Sequence, residues 1–310
     1  MSVTSKKRFS LVIATLQDDG ELQHCLSSIA KLAERAVTEV IVIDQNTDNH
    51  LAGVIGQFSA QLDIQHIRVN FCAVSRARNL GAQLAQGEWL GFPDDDCILF
   101  EDTLTEVHRL TSDPTLHVVT GQTVDETGAP NVLRWQASAL RFDRWNMFGC
   151  MTEATLFIKR ETFLQITGFS EDFGPGGRFP AAEGIELMNR LFIQQPTMGA
   201  IYSPTVKMQH PSKIPPWNRW AARRFFEYAK GDGGLVAKSP RRHILLWAIK
   251  TTGRAFIETF SFNGWRSVAF AARLAGLAIG IASGITYRIT NYITSGIKSS
   301  FKGSWSGRNR

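Results

Sequence analysis

Residues 87–96 read Gly-Glu-Trp-Leu-Gly-Phe-Pro-Asp-Asp-Asp, an apolar run that ends in three consecutive carboxylates. Residues 89–92 predict a buried strand, so the triplet Asp94–Asp96 lies where that strand ends. At ~4 Å each pair of carboxylates repels by about 1 kcal/mol even in water, so we expect a cation there. Mg²⁺ takes carboxylate and phosphate oxygens, which predicts a metal and diphosphate site. The alternative is a solvated acidic turn, with Asp102 capping the next helix.

Strand-like and helix-like segments alternate on the N-terminal side of this stretch. Short apolar runs predict strands over residues 9–14, 39–43, 64–69 and 89–92. Amphipathic segments between them predict helices over residues 21–31, 51–62 and 76–85. This order predicts a parallel, doubly wound α/β sheet whose ligand site lies beyond the carboxyl ends of its strands.

The chain beyond the acidic triplet predicts a mixed arrangement. Residues 118–121 and 153–158 have the composition of strands, and residues 184–192 have the pattern of a helix. Residues 174–180 read Gly-Pro-Gly-Gly-Arg-Phe-Pro. This segment holds too many glycines and prolines for a helix or a strand, which predicts a mobile loop.

Composition and charge divide the chain. Hydrophobic residues make up 44% and charged residues 20% of the 310 residues, which excludes disordered and fibrous proteins. The net charge of +6 hides an uneven distribution of charge. Residues 1–204 contain 25 acidic and 16 basic residues, whereas residues 205–310 contain 3 acidic and 18 basic residues. The two parts are therefore expected to meet different partners. Prolines from Pro204 to Pro216 mark the boundary and predict domains over residues 1–210 and 211–310.

The cysteines argue against two stabilising devices. Cys25, Cys72, Cys97 and Cys150 are scattered, without a Cys-x-x-Cys pair, so neither a disulfide framework nor a zinc site is indicated. A reducing compartment is expected. Residues 11–14 form only a short apolar run after the basic N-terminus, which predicts a strand and not a secretory signal.

Four motifs occur in a characteristic order: Ile-Ala-Thr at 13–15, Val-Ile-Asp-Gln-Asn-Thr-Asp at 42–48, Ser-Arg-Ala-Arg-Asn-Leu-Gly at 75–81, and the stretch 87–96. With these motifs the chain, from residue 9 to about 210, closely resembles the inverting family 2 glycosyltransferases. The resemblance implies a GT-A fold, which is a Rossmann-like, mostly parallel α/β sheet, here followed by a C-terminal helical extension. It also implies a nucleotide-diphosphate sugar as donor and Mg²⁺ or Mn²⁺ on an Asp-x-Asp motif. The catalytic domain, 1–210, would hold a nucleotide-sugar half over 1–100 and an acceptor half over 101–210.

The resemblance assigns donor binding to Thr15, Asp44, Arg76, Arg78, Asn79, Asp94 and Asp95. Asp44 ends the second predicted strand, where the family's aspartate accepts a hydrogen bond from the nucleotide base. A carboxylate accepts from the N3–H of uracil and has no comparable partner on unprotonated cytosine. Asp44 therefore favours a uridine or thymidine donor, and a UDP-sugar is expected. The alternative is an Asx turn, in which the Asp44 side chain accepts from nearby backbone.

The helix start at Arg76, Arg78 and Asn79 matches the family's Ala-Arg-Asn-Leu-Gly motif through residues 77–81. A guanidinium at a helix start beside an acidic diphosphate site predicts a phosphate or carboxylate clamp. The alternative for Arg78 is an ion pair with the aspartate triplet.

Residues 183–186, Glu-Gly-Ile-Glu, stand where the family has its acidic acceptor-side motif, commonly Glu-Asp-x-Asp. An inverting transfer needs a general base for the acceptor hydroxyl, but the position that often supplies it is Gly184 here. We expect Glu183 to be the base and Glu186 its positioning neighbour, since both lie on one helix face. The alternative is that both carboxylates only complement the dipole of a first helical turn.

His210 stands where related enzymes often have a histidine that completes the metal and diphosphate site. With Asp94 and Asp96 it forms the expected metal set, although a lone histidine is more often structural. Residues 92–97 and 228–231 also resemble membrane-associated bacterial members of the family that build cell-surface polysaccharides.

The C-terminal part combines basic and apolar residues. Residues 274–287 form 14 uncharged positions, fewer than the ~20 needed to span a bilayer. Arginines at 241 and 242 precede them, and basic residues follow at 298, 302, 308 and 310, which predicts attachment to the cytoplasmic face of the membrane. The alternative is packing on the catalytic domain. Glycines over 276–284 at four-residue spacing suggest close helix packing, with a homo-oligomer as one outcome. No nucleic-acid motif is present.

The sequence thus predicts a metal-dependent inverting glycosyltransferase that acts on a glycan or lipid-linked acceptor at the inner membrane surface. Two alternatives come from other classes. A nicotinamide-dependent oxidoreductase is disfavoured because the first strand leads into residues 15–19, Thr-Leu-Gln-Asp-Asp, without a Gly-x-Gly-x-x-Gly loop. A catalytically silent partner subunit that binds a nucleotide-sugar is suggested by Gly184, and donor hydrolysis would distinguish it from an enzyme.

Overall fold

The computed structural model of the chain describes residues 6–16 and 19–305. Two compact units are formed: Met1–Arg178 with Glu183–Lys213, and Phe179–Ala182 with Ile214–Arg310. The predicted domain boundary after residue 210 falls close to the end of the first unit. Nothing in the sequence predicted that a four-residue segment, Phe179–Ala182, belongs with the C-terminal helices.

Strands and helices alternate through the first half of the first unit. They are β1 (Phe9–Thr15), α1 (Asp19–Ile29), β2 (Thr38–Asp44), α2 (Leu51–Phe58), β3 (Asp63–Arg68), α3 (Val74–Leu84) and β4 (Trp89–Gly91). β1 pairs in parallel with β2 and β4, and β2 pairs in parallel with β3. Every residue of β2 is buried, as expected for an apolar strand covered on both faces. The predicted parallel α/β arrangement is confirmed.

The second half of the sheet is mixed. It adds β5 (Ile98–Leu99), α4 (Thr103–Thr111), β6 (Leu116–Val124), β7 (Leu140–Arg141), β8 (Phe157–Lys159), α5 (Arg160–Gln165), α6 (Glu183–Gln194) and β9 (Gly199–Gln209). The strand order is β3-β2-β1-β4-β8-β6-β9-β5, and β7 pairs with β9. β8 runs antiparallel to both β4 and β6, while β6 and β9 are parallel.

One predicted strand is wrong in its first half. Residues 153–155 form a 3₁₀ turn, and only Phe157–Lys159 is a strand. The Thr155 hydroxyl donates to the carbonyl of Gly121 at 3.0 Å, and the Leu156 N–H donates back to the carbonyl of Glu153 at 3.1 Å. These bonds close a turn in place of the extended backbone that the β-branched composition predicted, because tertiary contacts override local preference.

The predicted loop at residues 174–180 contains no helix or named strand, and the start of α3 contacts its first part. The Val74 N–H donates to the carbonyl of Pro175 at 3.0 Å, and the Ser75 hydroxyl donates to the carbonyl of Phe173 at 2.7 Å. Gly176 adopts a φ of +82°, and a Cβ there would lie 2.1 Å from the carbonyl oxygen of Cys72. The loop can therefore approach α3 closely only with glycine at this position.

The core of the first unit fixes the position of α3. Its largest members include Phe9, Leu11, Ile13 and Trp89, all fully buried. A Cβ at Gly81 of α3 would lie 2.3 Å from Val12 Cγ1 of β1. α3 thus packs on β1 more closely than any residue with a side chain at position 81 would allow. This contact determines where Arg78, one turn earlier, emerges at the strand ends.

The second unit contains three helices, α7 (Arg219–Lys238), α8 (Arg242–Thr259) and α9 (Gly264–Trp305). The glycine stripe of α9 faces α7: a Cβ at Gly276 or Gly280 would lie 2.2 Å from the carbonyl oxygen of Phe226 or Lys230. The predicted close packing of these glycines is thus found within the unit, and a homo-oligomer through residues 276–284 stays a prediction. Arg273, the charge inside the apolar stretch, is paired with Asp232 of α7 at 2.7 Å.

The length of the apolar helix differs from the prediction. Within the described residues, Gly264–Thr290 of α9 is long and apolar enough to cross a membrane by length and composition alone, with a mean hydropathy of 1.8. Only 28% of that window is buried. The prediction counted the uncharged residues alone and so underestimated the helix. The basic residues Arg308 and Arg310 lie outside the described residues, as do the side chains of Lys298 and Lys302.

Candidate active site

The acidic triplet lies at the carboxyl ends of parallel strands. Asp94–Asp96 follow β4, which pairs in parallel with β1. The chain turns at once, since the Cys97 N–H donates to the carbonyl of Asp94 at 3.1 Å. The site is therefore where a doubly wound sheet places its ligands.

Two of the three aspartates bind a cationic side chain through one oxygen only. Arg78 Nη2 lies 2.6 Å from Asp94 Oδ1, and Lys213 Nζ lies 2.6 Å from Asp96 Oδ2. The other two oxygens face a single atom, His210 Nε2, which lies 3.6 Å from Asp96 Oδ1 and 3.8 Å from Asp94 Oδ2. The predicted metal set of Asp94, Asp96 and His210 is thus brought together.

The contacts of His210 determine which ring nitrogen carries the proton. Its Nδ1 lies 3.0 Å from the carbonyl oxygen of Pro211, and its backbone N–H donates to the carbonyl of Val124 at 2.9 Å. A carbonyl only accepts, so Nδ1 must be the donor in the neutral ring. The lone pair of Nε2 then points toward the two carboxylates, the arrangement of a metal-ligating histidine.

The residues present fit a divalent cation. The side chain of Asp96 is only 6% exposed, and its Oδ1 is buried without a hydrogen-bond partner in the described part of the chain. Ligand atoms of Asp94, Asp96 and Cys97 lie within 4.8 Å of one another. Burial raises the pKa of the Cys97 thiol well above its usual range, which disfavours the thiolate that a metal ligand requires. The donors are therefore carboxylate oxygens and one imidazole nitrogen, a set that suits Mg²⁺ or Mn²⁺.

Asp95 has a different environment from its neighbours. Burial raises the pKa of its carboxyl to about 6, with the charges of Asp94 and Asp96 acting in the same direction and the Thr15 hydroxyl opposing them. Thr15 itself is fully buried at the end of β1. These two predicted donor-binding residues thus lie close to each other.

Arg78 connects the aspartates to the acceptor-side motif. Its side chain is 4% exposed, and its Nη1 lies 3.4 Å from Glu183 Oε1 while Nη2 contacts Asp94. Burial lowers the pKa of the guanidinium, but the carboxylates of Asp94, Glu183 and Glu153 outweigh burial and raise it overall. The ion-pair role left open for Arg78 is the one that its contacts show.

Glu183 begins α6 and is buried, with a side chain that is 10% exposed. Burial raises the pKa of its carboxyl to about 8, the charge of Glu153 adds to the rise, and Arg78 opposes it. A general base is most effective when its pKa lies near the working pH. Glu183 has the environment of such a base.

Glu186 is held apart from this cluster. Its two oxygens accept from Arg190 Nε at 3.1 Å and Nη2 at 2.9 Å. Arg190 also donates to the carbonyls of Ile166 and Gly168. Through Arg190, Glu186 therefore helps to connect α6 to the backbone that follows α5. Of the predicted pair, only Glu183 contacts the site.

Comparison with known families decides the class of the protein. Residues 10–170 match the sequence model of the family described as Glycosyl transferase family 2. The chain belongs to this family. The match ends before α6, so the acceptor-side motif and His210 of this glycosyltransferase lie outside the matched residues. No curated protein matches the chain by sequence.

Solved structures show that this glycosyltransferase has the GT-A fold of known enzymes. A mannosyltransferase from Pyrobaculum calidifontis, in complex with GDP-Man and Mn²⁺, is similar over 98% of this chain and 83% of its own, with a TM-score of 0.61 and 17% identity. A fragment of S. aureus TarS, residues 1–349, in complex with UDP, is similar over 91% and 92% of the two chains, with a TM-score of 0.56 and 14% identity. The chain spans 44% of the longer TarS structure. The predicted fold class is confirmed.

Asp44 of this glycosyltransferase is fully buried and its oxygens are bonded within the protein. Oδ1 accepts from the backbone and side-chain nitrogens of Asn46, both at 2.9 Å, and Oδ2 lies 2.9 Å from His66 Nε2. The first contact is the Asx turn left open by the sequence. The base contact stays a prediction, and it requires an oxygen that either Asn46 or His66 now contacts.

The other two predicted clamp residues differ from Arg78. Asn79 donates to the carbonyl of Phe169 and accepts from its N–H, both at 2.8 Å, so its amide holds the backbone after α5, and its donor contact stays a prediction. Arg76 is exposed, with its guanidinium 4.1 Å from the ring centre of Phe71. Of the three, Arg76 is the one whose charge faces solvent.

The sequence missed two charged residues of the site, Glu153 and Lys213. Lys213 lies within the proline-rich boundary segment, and no local pattern connects it to Asp96. Glu153 opens a predicted strand, where a charged residue before a buried apolar run was a weak signal. Gly184 gave a stronger signal, because a missing side chain at a functional position implies that another residue fills the space.

Proposed function

We propose that this glycosyltransferase transfers a sugar from a nucleotide-diphosphate donor, a UDP-sugar, to a hydroxyl of a glycan or lipid-linked saccharide, with inversion at the anomeric carbon. The pathway we propose is surface-polysaccharide biosynthesis. The observation that carries the proposal is the convergence of Asp94 Oδ2, Asp96 Oδ1 and His210 Nε2 at the carboxyl end of β4. The complexes of the mannosyltransferase with GDP-Man and Mn²⁺ and of TarS with UDP-GlcNAc support a metal and a nucleotide-sugar as the ligand class.

On the donor side, Asp94, Asp96 and His210 would hold Mg²⁺ or Mn²⁺. When bound, the ion neutralises the negative charge that develops on the departing diphosphate. Arg76 is exposed at the start of α3, where its guanidinium is available to a phosphate. Asp44 at the end of β2 favours uracil, since its carboxylate accepts from the N3–H of that base.

On the acceptor side, Glu183 accepts the proton of the attacking hydroxyl. Arg78 holds the Glu183 carboxylate at a fixed place relative to Asp94, because its two terminal nitrogens contact both. The acceptor oxygen then forms its bond to the anomeric carbon as the bond to the diphosphate breaks. A base and a leaving group on opposite faces of the sugar give inversion.

A ligand screen tests the proposed reaction. UDP-, dTDP-, GDP- and CDP-sugars are each titrated calorimetrically into the full chain with and without Mn²⁺, and nucleoside diphosphate release is then followed with water as acceptor. We expect binding that requires Mn²⁺, a preference for a UDP-sugar, and slow hydrolysis. Tight binding without any hydrolysis or transfer would favour the catalytically silent partner subunit. Binding of no nucleotide-sugar would overturn the proposed function.

We also propose that the second unit attaches this enzyme to the cytoplasmic membrane surface through one face of α8. Apolar side chains recur there with helical spacing and are exposed: Leu245, Leu246, Ile249, Phe256, Ile257 and Phe260. The exposed fraction of Ile257 reaches 73%. Exposed Lys250 and Arg254 lie among them, and exposed Arg241 and Arg242 flank the helix start. Apolar and basic side chains on one helix match an anionic lipid surface.

Attachment to the surface is preferred over spanning because α9 is engaged inside the unit. Its glycine stripe packs on α7, and its Arg273 pairs with Asp232. A helix released into lipid would give up both contacts. α8, in contrast, has its apolar face exposed.

Sedimentation with vesicles tests this attachment. The full chain is mixed with vesicles of phosphatidylcholine alone or with vesicles that also contain phosphatidylserine, because basic residues are attracted to an anionic lipid surface. We expect binding to the anionic vesicles, partial release by high salt, and at least tenfold weaker binding of Ile257→Glu. Val132→Glu, which changes an exposed valine of the first unit, is the matched control. Equal vesicle binding by both variants would contradict the role of α8. Membrane attachment that resists extraction with alkaline carbonate would indicate that α9 spans the membrane.

A further inference from the structure

The space beside Gly184 is occupied by a carboxylate from another element. A Cβ at position 184 would lie 2.2 Å from Glu153 Oε1 and 2.8 Å from Glu153 Cδ. The Gly184 N–H donates to the same Oε1 at 2.7 Å. An aspartate at 184, as in the common family motif, could not share this space with Glu153. The chain thus keeps a carboxylate here but supplies it from the turn before β8.

The backbone that carries Glu153 is held firmly. It starts the 3₁₀ turn of residues 153–155, which the Thr155 hydroxyl ties to the carbonyl of Gly121 in β6. Within the described residues, Glu153 Oε2 forms no hydrogen bond, whereas Oε1 is bonded to Gly184. One oxygen therefore fixes the carboxylate and the other is available to an acceptor.

Glu153 interacts electrostatically with Glu183, the candidate base, and with Arg78. The charge of Glu153 raises the pKa of Glu183, which directly precedes Gly184 in the chain. The same charge also raises the pKa of Arg78. Glu183 is faced by Arg78 from α3, by Asp94 from the loop after β4 and by Glu153 from the turn before β8. Three carboxylates, those of Asp94, Glu153 and Glu183, therefore surround the one guanidinium of Arg78.

We propose that Glu153 is a catalytic carboxylate of this enzyme, replacing the side chain that position 184 lacks and forming one base together with Glu183. The inference rests on the proposed function. In the step, the acceptor O–H bond breaks and its proton passes to this pair of carboxylates. The acceptor oxygen forms a bond to the anomeric carbon, and the electron pair of the breaking glycosyl–phosphate bond remains on the diphosphate.

A purely structural role for Glu153, as a cap for the N-terminus of α6, makes a different prediction. Glutamine at position 153 has an amide oxygen that can still accept from the Gly184 N–H, so Glu153→Gln keeps a cap and loses basicity. If Glu153 is a base, turnover of the nucleotide-sugar selected by the screen falls at least 100-fold in hydrolysis and transfer. Donor affinity in Mn²⁺ stays within threefold, and the melting temperature is nearly unchanged. Glu161→Gln, which changes an exposed glutamate of α5, is the matched control.

A relocation experiment gives a result that a cap alone cannot produce. Glu153→Ala removes the carboxylate and empties the space, and Glu153→Ala with Gly184→Asp returns a carboxylate to position 184. We expect the double variant to turn over at least tenfold faster than Glu153→Ala. Gly184→Asp alone should be impaired, since its side chain meets Glu153.

The outcomes separate this inference from the proposed function. Turnover of Glu153→Gln within threefold of the wild type, or no gain in the double variant, would overturn the role of Glu153 while nucleotide-sugar binding upholds the proposed function. A wild-type chain that binds no nucleotide-sugar would overturn the proposed function and this inference with it.

Discussion

The donor side and the acceptor side of this site hold carboxylates in different ways. On the donor side, Asp94 and Asp96 each have one oxygen on a separate cation and direct the other toward His210. On the acceptor side, Glu153 and Glu183 have one guanidinium between them, and Glu183 is buried. Only the donor side therefore has unsatisfied oxygens that face a common point.

The difference shows how carboxylates can serve metal binding on the donor side and proton transfer on the acceptor side. Excess negative charge on the donor side is suited to neutralisation by a divalent ion, which then also meets a diphosphate. Excess negative charge on the acceptor side is suited to neutralisation by a proton, because burial favours the uncharged carboxyl. A proton that can be exchanged is what a general base requires. Four predictions test this contrast.

The largest effect is expected from Asp96→Ala, which removes the buried oxygen of the donor side. Changing groups that merely support metal ligands costs about 10–100-fold, so loss of a ligand should weaken Mn²⁺-dependent donor binding roughly 100-fold or more. The fold should persist, because the ion pair with Lys213 is partly exposed and contributes little. Calorimetry with and without Mn²⁺ measures the effect. Asp113→Ala, which removes an aspartate paired with Arg141 outside the site, is the control, and equal donor affinity in both variants would contradict the metal role.

The second effect is expected from Glu183→Gln on the acceptor side. Removing a general base lowers turnover by roughly 10²–10⁴-fold. Donor affinity should stay within threefold, since the amide preserves shape and Asp94 is unchanged. Initial rates and calorimetry on the same preparation separate the two quantities. A variant that loses donor binding to the same extent as turnover would show that the two sides are not independent.

Much of the donor side could be predicted from the sequence because it depends on local order. Strand β4 ends directly in the aspartate triplet, and in a parallel sheet every strand delivers its carboxyl end to the same edge. The family motif added His210 from the end of β9, which the structure places beside Asp94. Strand and helix identities followed from periodicity, and their bounds shifted by only a few residues.

The acceptor side could not be predicted to the same extent because its contacts are distant in sequence. Glu153 meets Gly184 across 31 positions, and Asn79 meets Phe169 across 90. Periodicity carries no information about such pairs. Glu153 was assigned to a strand, and the turn that aims its carboxylate depends on Gly121 of another strand. In the second unit, the glycine stripe correctly indicated close packing but could not identify α7 as the partner.

The third effect is a pH dependence of stability from Glu183. Its pKa is raised from the ordinary 4.5 to about 8 in the folded chain, so the folded state holds a proton that the unfolded state releases. The contribution of Glu183 to stability is therefore complete below the ordinary pKa and is lost as the pH rises toward 8. Glu183→Gln lacks this loss. Melting temperatures without metal should shift in favour of the variant between pH 5 and 8, and parallel curves would contradict the buried, protonated acceptor side.

The smallest effect is expected from Glu186→Gln. Glu186 lies on the same face of α6 as Glu183 but belongs to neither the donor side nor the acceptor side. Glu186 is committed to Arg190, which in turn holds the carbonyl of Gly168 at 2.7 Å. Losing the charge of an i,i+4 pair costs about 0.5 kcal/mol, or roughly 1–2 °C in a chain of this size. Turnover should remain within threefold, because no group of the site contacts this carboxylate. Rates and melting curves are measured beside Glu183→Gln. If Glu186→Gln were inactive and Glu183→Gln active, the base would lie one turn further along α6, and the contrast drawn from burial would be wrong.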